Sequence, residues 1–156
     1  MAFESKTVAN NFLQWDFADG NASVTPMKLQ KLVYMAHGWF LAIHDEPLIQ
    51  EPFEAWPYGP VEDTLYHVFK QYRNNPITKY AKTWVGDKEV SQTVNSEKFK
   101  QVFDAVVGKY GSFSALKLSA LTHMAGTPWY ITRAQGETEI PNDLVRDHFR
   151  GLIING

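Results

Sequence analysis

The five histidines are the first candidates for a metal-binding or catalytic site. His37 and His44 lie seven residues apart, which is about two helical turns or roughly 10 Å. The ligands of one zinc ion all lie within ~2.1 Å of the metal, so these two side chains cannot share an ion. His67, His123 and His148 lie on three other segments. The spacing therefore favours surface or hydrogen-bonded histidines over a metal site.

Two acidic pairs, Asp45-Glu46 and Glu62-Asp63, could supply the acid and the base of a hydrolytic reaction. The second pair is explained as the start of a helix, and the first, beside Pro47, as solvated surface. The absence of cysteine excludes disulfides, thiolate metal sites and cysteine nucleophiles. The sequence also lacks the serine-hydrolase, zinc-protease, Walker and dinucleotide-binding motifs. We expect neither enzymatic activity nor a cofactor.

The segment 25–41 combines cations with aromatic side chains. Lys28 and Lys31 are spaced i, i+3, and Tyr34, His37 and Trp39 follow. Such a mixture can hold phosphates and stack bases, so a nucleic-acid-binding regulator is one interpretation. However, the net charge is -2, with 15 cationic and 17 anionic side chains, and no neighbouring basic cluster is visible. The alternative is a central helix whose lysine stems lie along apolar surface.

Composition and hydropathy indicate the number of domains and the cellular location. A chain of 156 residues with 44% hydrophobic content fits one compact domain over 1–156. No apolar run is long enough for a signal peptide or for the ~18 residues of a membrane span. We therefore expect a cytoplasmic protein.

Helical periodicity is clearest in the first third of the chain. It predicts a helix over about 5–18 and a second helix from Pro26, with Thr25 as its N-cap. The predicted core stripe of the second helix is Leu29, Leu32, Val33, Ala36, Phe40 and Ile43.

The connection that follows is rich in proline. The alternation around Phe53 and Ala55 predicts a short strand. Pro60 is predicted to start a helix with Glu62 and Asp63 in its first turn and with a buried side formed by Val61, Leu65, Val68, Phe69 and Tyr72. Gly86-Asp87 is predicted to form the turn of a hairpin.

The remaining helices are predicted from their caps. One runs from about Ser96 to a stop at Gly111, and the next is capped by Ser112 or Ser114 and packs Leu118, Leu121 and Met124. Another starts at Thr127-Pro128. The last starts at Pro141, with an inward face of Leu144, Val145, His148 and Phe149. The predicted fold class is mainly α, with six or seven helices and a small β ribbon.

Four motifs occur in a recognisable order: TPMKLQKLVYMAHGWFLA (25–42), PLIQEPFEAWPYGPV (47–61), LSALTHMAGTPW (118–129) and IPNDLVRDHF (140–149). In this order and spacing they resemble the SocA-like, phage-associated protein family, also called the Panacea domain. The resemblance covers about 8–149, although 77–96 carries no motif of the family. It implies an antitoxin of a toxin-antitoxin system that neutralises a toxin by direct contact. An adaptor that delivers a toxin to a Clp-type protease is the alternative that the family also implies.

The amphipathic residues in these motifs are the candidates for binding a protein partner, because such side chains dominate interfaces. They are Lys28, Lys31, Tyr34, Trp39, Trp56, Tyr58, His123 and Trp129. The alternative is internal packing, in which the three tryptophans meet and a lysine pairs with a carboxylate or an aromatic ring. An interface of at least ~1,000 Å² is needed, so we expect the loop 45–59 or the segment 77–96 to contribute as well.

Overall fold

The molecule is mainly α-helical, as predicted. A computed structural model describes residues 2–155, and within this range there are seven α-helices and two antiparallel two-stranded sheets. In chain order the elements are α1 Ser5–Phe17, α2 Pro26–His44, β1 Phe53–Trp56, β2 Gly59–Glu62, α3 Asp63–Phe69, a 3-10 turn Lys70–Tyr72, β3 Thr83–Val85, β4 Lys88–Val90, α4 Glu97–Tyr110, α5 Ala115–His123, α6 Pro128–Ala134 and α7 Asn142–Asn155. No helix within these residues has the length and hydropathy needed to cross a bilayer.

Helix α2 forms the centre of the molecule. It begins as predicted, because Thr25 Oγ1 accepts a hydrogen bond from the Lys28 amide (3.3 Å) and Pro26 takes the first helical position. Every residue over 29–38 is buried, since α1, α4, α5, α7 and β2 surround the helix. The prediction that Ile43 belongs to the core was wrong. Its side chain is 55% exposed and lines an open groove between the last turn of α2 and α4.

The start of the third helix was also predicted wrongly. Gly59–Glu62 is strand β2, which pairs with β1 from Phe53↔Glu62 to Trp56↔Gly59. The hairpin closes because Gly59 adopts φ +115°, a conformation that other residues rarely accept. Helix α3 therefore begins at Asp63, and Glu62 is its N-cap, with a carboxylate that accepts hydrogen bonds from the Thr64 and Leu65 amides.

Helix α5 covers α2 with a narrower face than predicted. Ser114 is its cap, and Leu118 is fully buried. Leu121 and Met124 are 37% and 59% exposed, so their predicted place in the core was wrong. Both line a surface pocket towards α7 instead of a closed contact. On α7, Val145 and Phe149 are buried as predicted, whereas Leu144 and His148 are only half-buried.

The second hairpin matches its prediction, since β3 and β4 pair around Gly86-Asp87 with the register Thr83↔Val90. Its flanks are attached to α1 by two asparagine side chains. Asn10 bonds both the amide and the carbonyl of Ala81 and also the Gln92 carbonyl, and Asn11 bonds both backbone groups of Val94. The segment 81–94 is therefore attached to α1 by hydrogen bonds from side chains to its backbone, in addition to the buried side chains of Ala81 and Val94.

Candidate functional site

Five of the eight predicted partner-binding residues lie together around the turn of the β1–β2 hairpin. Helix α2 contributes Lys31, and the hairpin contributes Trp56 and Tyr58. His123 comes from the end of α5 and Trp129 from the start of α6. We call this region the hairpin-turn site. Side chains from four elements meet here because the hairpin lies between α2, α5 and α6.

The free edge of β2 is held by two neighbouring residues of α2. The Gln30 side chain bonds both backbone groups of Glu62 at 2.9 Å, as a paired strand would do. Lys31 Nζ donates to the Pro60 carbonyl at 3.0 Å. Pro60 has no N–H, so the carbonyl is its one backbone hydrogen-bonding group. The role of Gln30 was not predicted, because a glutamine on a helix carries no sequence signal for the strand that it bonds.

Lys31 is a cation inside the protein. Its side chain is 1% exposed, and burial lowers the pKa of its ammonium group to about 8. No charged neighbour contributes to this change, so no carboxylate offsets the desolvation. An ammonium group has three N–H donors, and Pro60 accepts one of them. Lys31 thus keeps hydrogen-bonding capacity and charge that the described part of the chain leaves unused.

Trp129 and His123 fix the hairpin turn from behind. Trp129 Nε1 donates to the Trp56 carbonyl at 2.6 Å, and the His123 ring packs edge-on against the Trp129 ring at 4.5 Å between centroids. His123 Nδ1 lies 2.6 Å from the Ser119 carbonyl, which can only accept, so this nitrogen carries the proton. Ser119 Oγ in turn donates to the Tyr58 carbonyl at 3.2 Å. These contacts attach the turn to α5 and α6.

In front of the turn is a pocket of about 340 Å³ with cationic and aromatic walls, which we call the Lys31 pocket. Trp56 and Tyr58 line it together with Lys31. Tyr58 is 72% exposed, whereas the Trp56 indole is held by Glu54 (2.8 Å) and packs edge-on against Tyr66. Among the residues that the structure describes, the lining includes three cations and no acidic residue; the other two cations are Lys70 and Arg73. Tyr66, Lys70 and Arg73 were not predicted as site residues, because the helical pattern of this segment identifies its buried side and carries no signal for its exposed side.

The other three predicted residues lie elsewhere. Lys28 Nζ donates to the Gly111 carbonyl at 2.7 Å, which joins α2 to the end of α4. Tyr34 is in the core, edge-on to Phe53 and Phe149, and burial raises the pKa of its hydroxyl. Trp39 Nε1 donates to the Tyr110 hydroxyl at 3.1 Å. The three tryptophans therefore do not form one cluster, and both lysines pair with carbonyls rather than with carboxylates.

His37 and the acidic pair Asp45-Glu46 have structural partners. His37 Nε2 lies 3.0 Å from Asn142 Oδ1, and its Nδ1 accepts from the Ile49 amide at 3.4 Å. Burial lowers the pKa of His37 to about 4, so the ring is neutral. Asp45 pairs with Arg146 and Glu46 with Lys98 at the surface. Over the part of the chain that the structure describes, no three His, Asp or Glu side chains form a group that could hold a metal ion.

Comparisons with known proteins agree with the four sequence motifs. Residues 29–130 match the family model described as "Antitoxin SocA-like, Panacea domain", a range that contains the whole hairpin-turn site. Antitoxin SocA of Caulobacter vibrioides is 29% identical over 160 residues, covering 94% of this chain and 82% of the relative. No solved structure gives a significant match.

Proposed function

Because the chain belongs to the SocA-like antitoxin family with the Panacea domain, we propose that it neutralises a cognate toxin by direct protein–protein contact. The family suggests an antitoxin role in general, and a toxin is then the expected partner. We propose further that the effect comes from masking a surface of the toxin, so the protein acts in stoichiometric amounts and performs no chemical step.

The observation that supports contact through the hairpin-turn site is the combination of a turn anchored by hydrogen bonds with exposed aromatic side chains beside it. The turn is anchored by Gln30, Lys31, Ser119 and Trp129, while Tyr58 and Tyr66 expose 72% and 44% of their surface. Exposed aromatic side chains on a fixed backbone lose little conformational entropy when a partner covers them. A pocket between them gives an anchor residue of the partner a place to insert.

Co-expression with each adjacent open reading frame tests the proposal. We expect one of those frames to inhibit growth alone and to be relieved by this protein, and the two purified chains to form a complex. If no adjacent frame is both toxic and relieved, the proposal is wrong.

Titration of toxin activity separates masking from the alternatives. A masking antitoxin abolishes activity at about one molecule per toxin molecule, because it must occupy the toxin surface. Rescue at a much lower ratio would indicate an enzyme. Loss of toxin protein in cells with an active Clp protease, and not in cells without it, would indicate a protease adaptor.

A further inference from the structure

We infer that the Lys31 pocket is the anchor site for a carboxylate, supplied by an aspartate or glutamate side chain of the toxin. This inference rests on the proposed function and adds the chemistry of the central contact. The occupant is identified by charge, because the lining residues within 2–155 include three cations and no acidic side chain.

Lys31 is buried without an acidic partner in the described part of the chain. A buried ammonium group without a carboxylate is costly, because desolvation is not offset by an ion pair. Lys31 is 1% exposed and lines the pocket, and within the described part of the chain its ammonium group donates one hydrogen bond, to Pro60, out of the three that it can donate. A carboxylate entering the pocket would accept hydrogen bonds from this group in a water-poor environment, where a charge-assisted hydrogen bond is strong.

The edge of the Lys31 pocket is cationic and its walls are aromatic. Lys70 and Arg73 are exposed at the pocket edge and would attract an acidic segment before contact. Tyr58, Tyr66 and Trp56 form apolar walls that exclude water from the ion pair once the partner is seated. The cations of the pocket suit an acidic side chain of the partner, and its aromatic walls suit apolar residues on either side of that acidic residue.

A phosphodiester backbone fits this arrangement less well. Nucleic-acid binding relies on several exposed cations that follow the strand, and its strength grows with the number of phosphates contacted. Here the central cation lies at 1% exposure within a pocket of about 340 Å³, and the chain carries a net charge of -2. The geometry suits one small anionic group rather than a chain of them.

The test uses the full chain and the toxin identified by co-expression, with Lys31→Met as the variant. Methionine keeps an unbranched apolar stem of similar length and removes the charge. The control is Lys28→Met, because Lys28 lies one helical turn away and bonds Gly111 outside the pocket. We expect Lys31→Met to raise the Kd for the toxin at least about tenfold and Lys28→Met to change it less than about twofold.

The acidic partner is then located by replacing each surface Asp and Glu of the toxin with Asn or Gln. One replacement should weaken binding to the wild-type chain by a similar factor and have no further effect on Lys31→Met. Unchanged toxin affinity of Lys31→Met would overturn the anchor and leave the proposed function intact. If the wild-type chain binds no toxin encoded by an adjacent open reading frame, the proposed function and the carboxylate anchor are both wrong. Lys31-dependent binding of a single-stranded oligonucleotide instead of the toxin would assign the pocket to nucleic acid and overturn the anchor.

An NMR titration of the Lys31 side chain needs no variant and keeps the test independent of folding. In the free protein we expect a pKa of about 8 for Lys31. In the toxin complex a neighbouring carboxylate should raise the pKa to about 9 or higher, because an opposite charge favours the protonated form. A pKa that does not rise on complex formation contradicts the proposed ion pair.

Discussion

Lys31 has two roles with opposite effects on stability. Its hydrogen bond to Pro60 holds the hairpin against α2, while the burial of its charge opposes folding. The lowered pKa gives the sign of the second effect. The pKa of this lysine is about 8 in the folded chain and 10.5 in the unfolded chain, so between these pH values the unfolded chain binds more protons. The desolvation penalty is therefore fully present below pH 8 and disappears as the pH rises to 10.5.

We predict that Lys31→Met is more stable than the wild type at pH 7, by about 1–3 kcal/mol, because it removes a buried charge that no carboxylate offsets. Urea unfolding followed by circular dichroism at pH 7 and pH 9.5 measures this difference. The stability gap should narrow at the higher pH, where the wild-type lysine is neutral. A variant that is less stable at pH 7 would show that the Pro60 hydrogen bond outweighs the desolvation of the charge.

For Tyr58→Ala we predict at least about tenfold weaker toxin binding with little change in stability, because the side chain is 72% exposed. Ile43→Ala is the matched control, since Ile43 is also exposed (55%) and lies outside the Lys31 pocket. Calorimetric titration with the toxin measures the affinities. Equal affinities for Tyr58→Ala and the wild type would exclude the hairpin turn as the main contact.

Trp84→Ala tests the segment 77–96 in the same assay, because Trp84 is 67% exposed on the second hairpin.

At the scale of elements, the β1–β2 hairpin depends on support at both edges. A two-stranded hairpin is marginally stable alone. Its β2 edge is bonded by Gln30 and Lys31, and its β1 edge by the backbone of Thr138 and Ile140. The site is therefore built on a small sheet whose two outer edges are both hydrogen-bonded to other parts of the molecule.

The contact between α2 and α7 depends on one glycine. A Cβ atom at Gly38 would overlap the Phe149 ring, which itself packs against Tyr34 and Trp39. The missing side chain lets α7 approach the central helix closely. Glycine lowers the helix propensity here by about 1 kcal/mol relative to alanine, a cost that opposes the close packing.

We predict that Gly38→Ala lowers the free energy of unfolding by about 1–3 kcal/mol, because overpacking outweighs the gain in helix propensity. Gly108→Ala on α4 is the control: nothing lies within 4 Å of its added Cβ, so it should gain about 0.5–1 kcal/mol. Chemical denaturation of both variants gives the values. A stabilised Gly38→Ala would mean that Phe149 moves aside without loss.

At the scale of the whole molecule, His37 connects three distant parts of the chain. It lies on α2, accepts a hydrogen bond from Ile49 and bonds Asn142 at the start of α7. Its pKa is about 4 when folded and 6.5 when unfolded, so the unfolded chain binds more protons between these values. This group therefore stabilises the fold fully above pH 6.5, and its contribution is lost as the pH falls towards 4.

We predict that His37 alone accounts for a loss of about 2–3 kcal/mol between pH 7 and pH 4.5. The measurement is urea unfolding of the wild type and His37→Gln across this range. The variant should be less stable at pH 7 but should show a flatter pH profile. His67→Gln serves as control, because His67 is exposed and pairs with Asp63. Identical slopes for the wild type and His37→Gln would contradict this assignment.

The sequence alone determined the elements with strong local signals. Thr25, Ser96, Ser114 and Thr127 each cap a helix by accepting from the amide three residues ahead, so their effect is visible in a short stretch of chain. The motifs that resemble the family also predicted it correctly from the sequence, because they combine such caps with a fixed order along the chain. Gly86-Asp87 predicted its hairpin for the same reason.

Only the tertiary structure decided which amphipathic side chains form the site. Lys31 and Lys28 look equivalent in sequence, yet one bonds Pro60, 29 residues away, and the other Gly111, 83 residues away. Trp39 bonds Tyr110, whereas Trp129 bonds Trp56. Pro60 likewise carried a local helix signal, but strand pairing with β1 overrode it. A long side chain with both apolar and polar parts fits several environments, so its position depends on distant neighbours that no local pattern encodes.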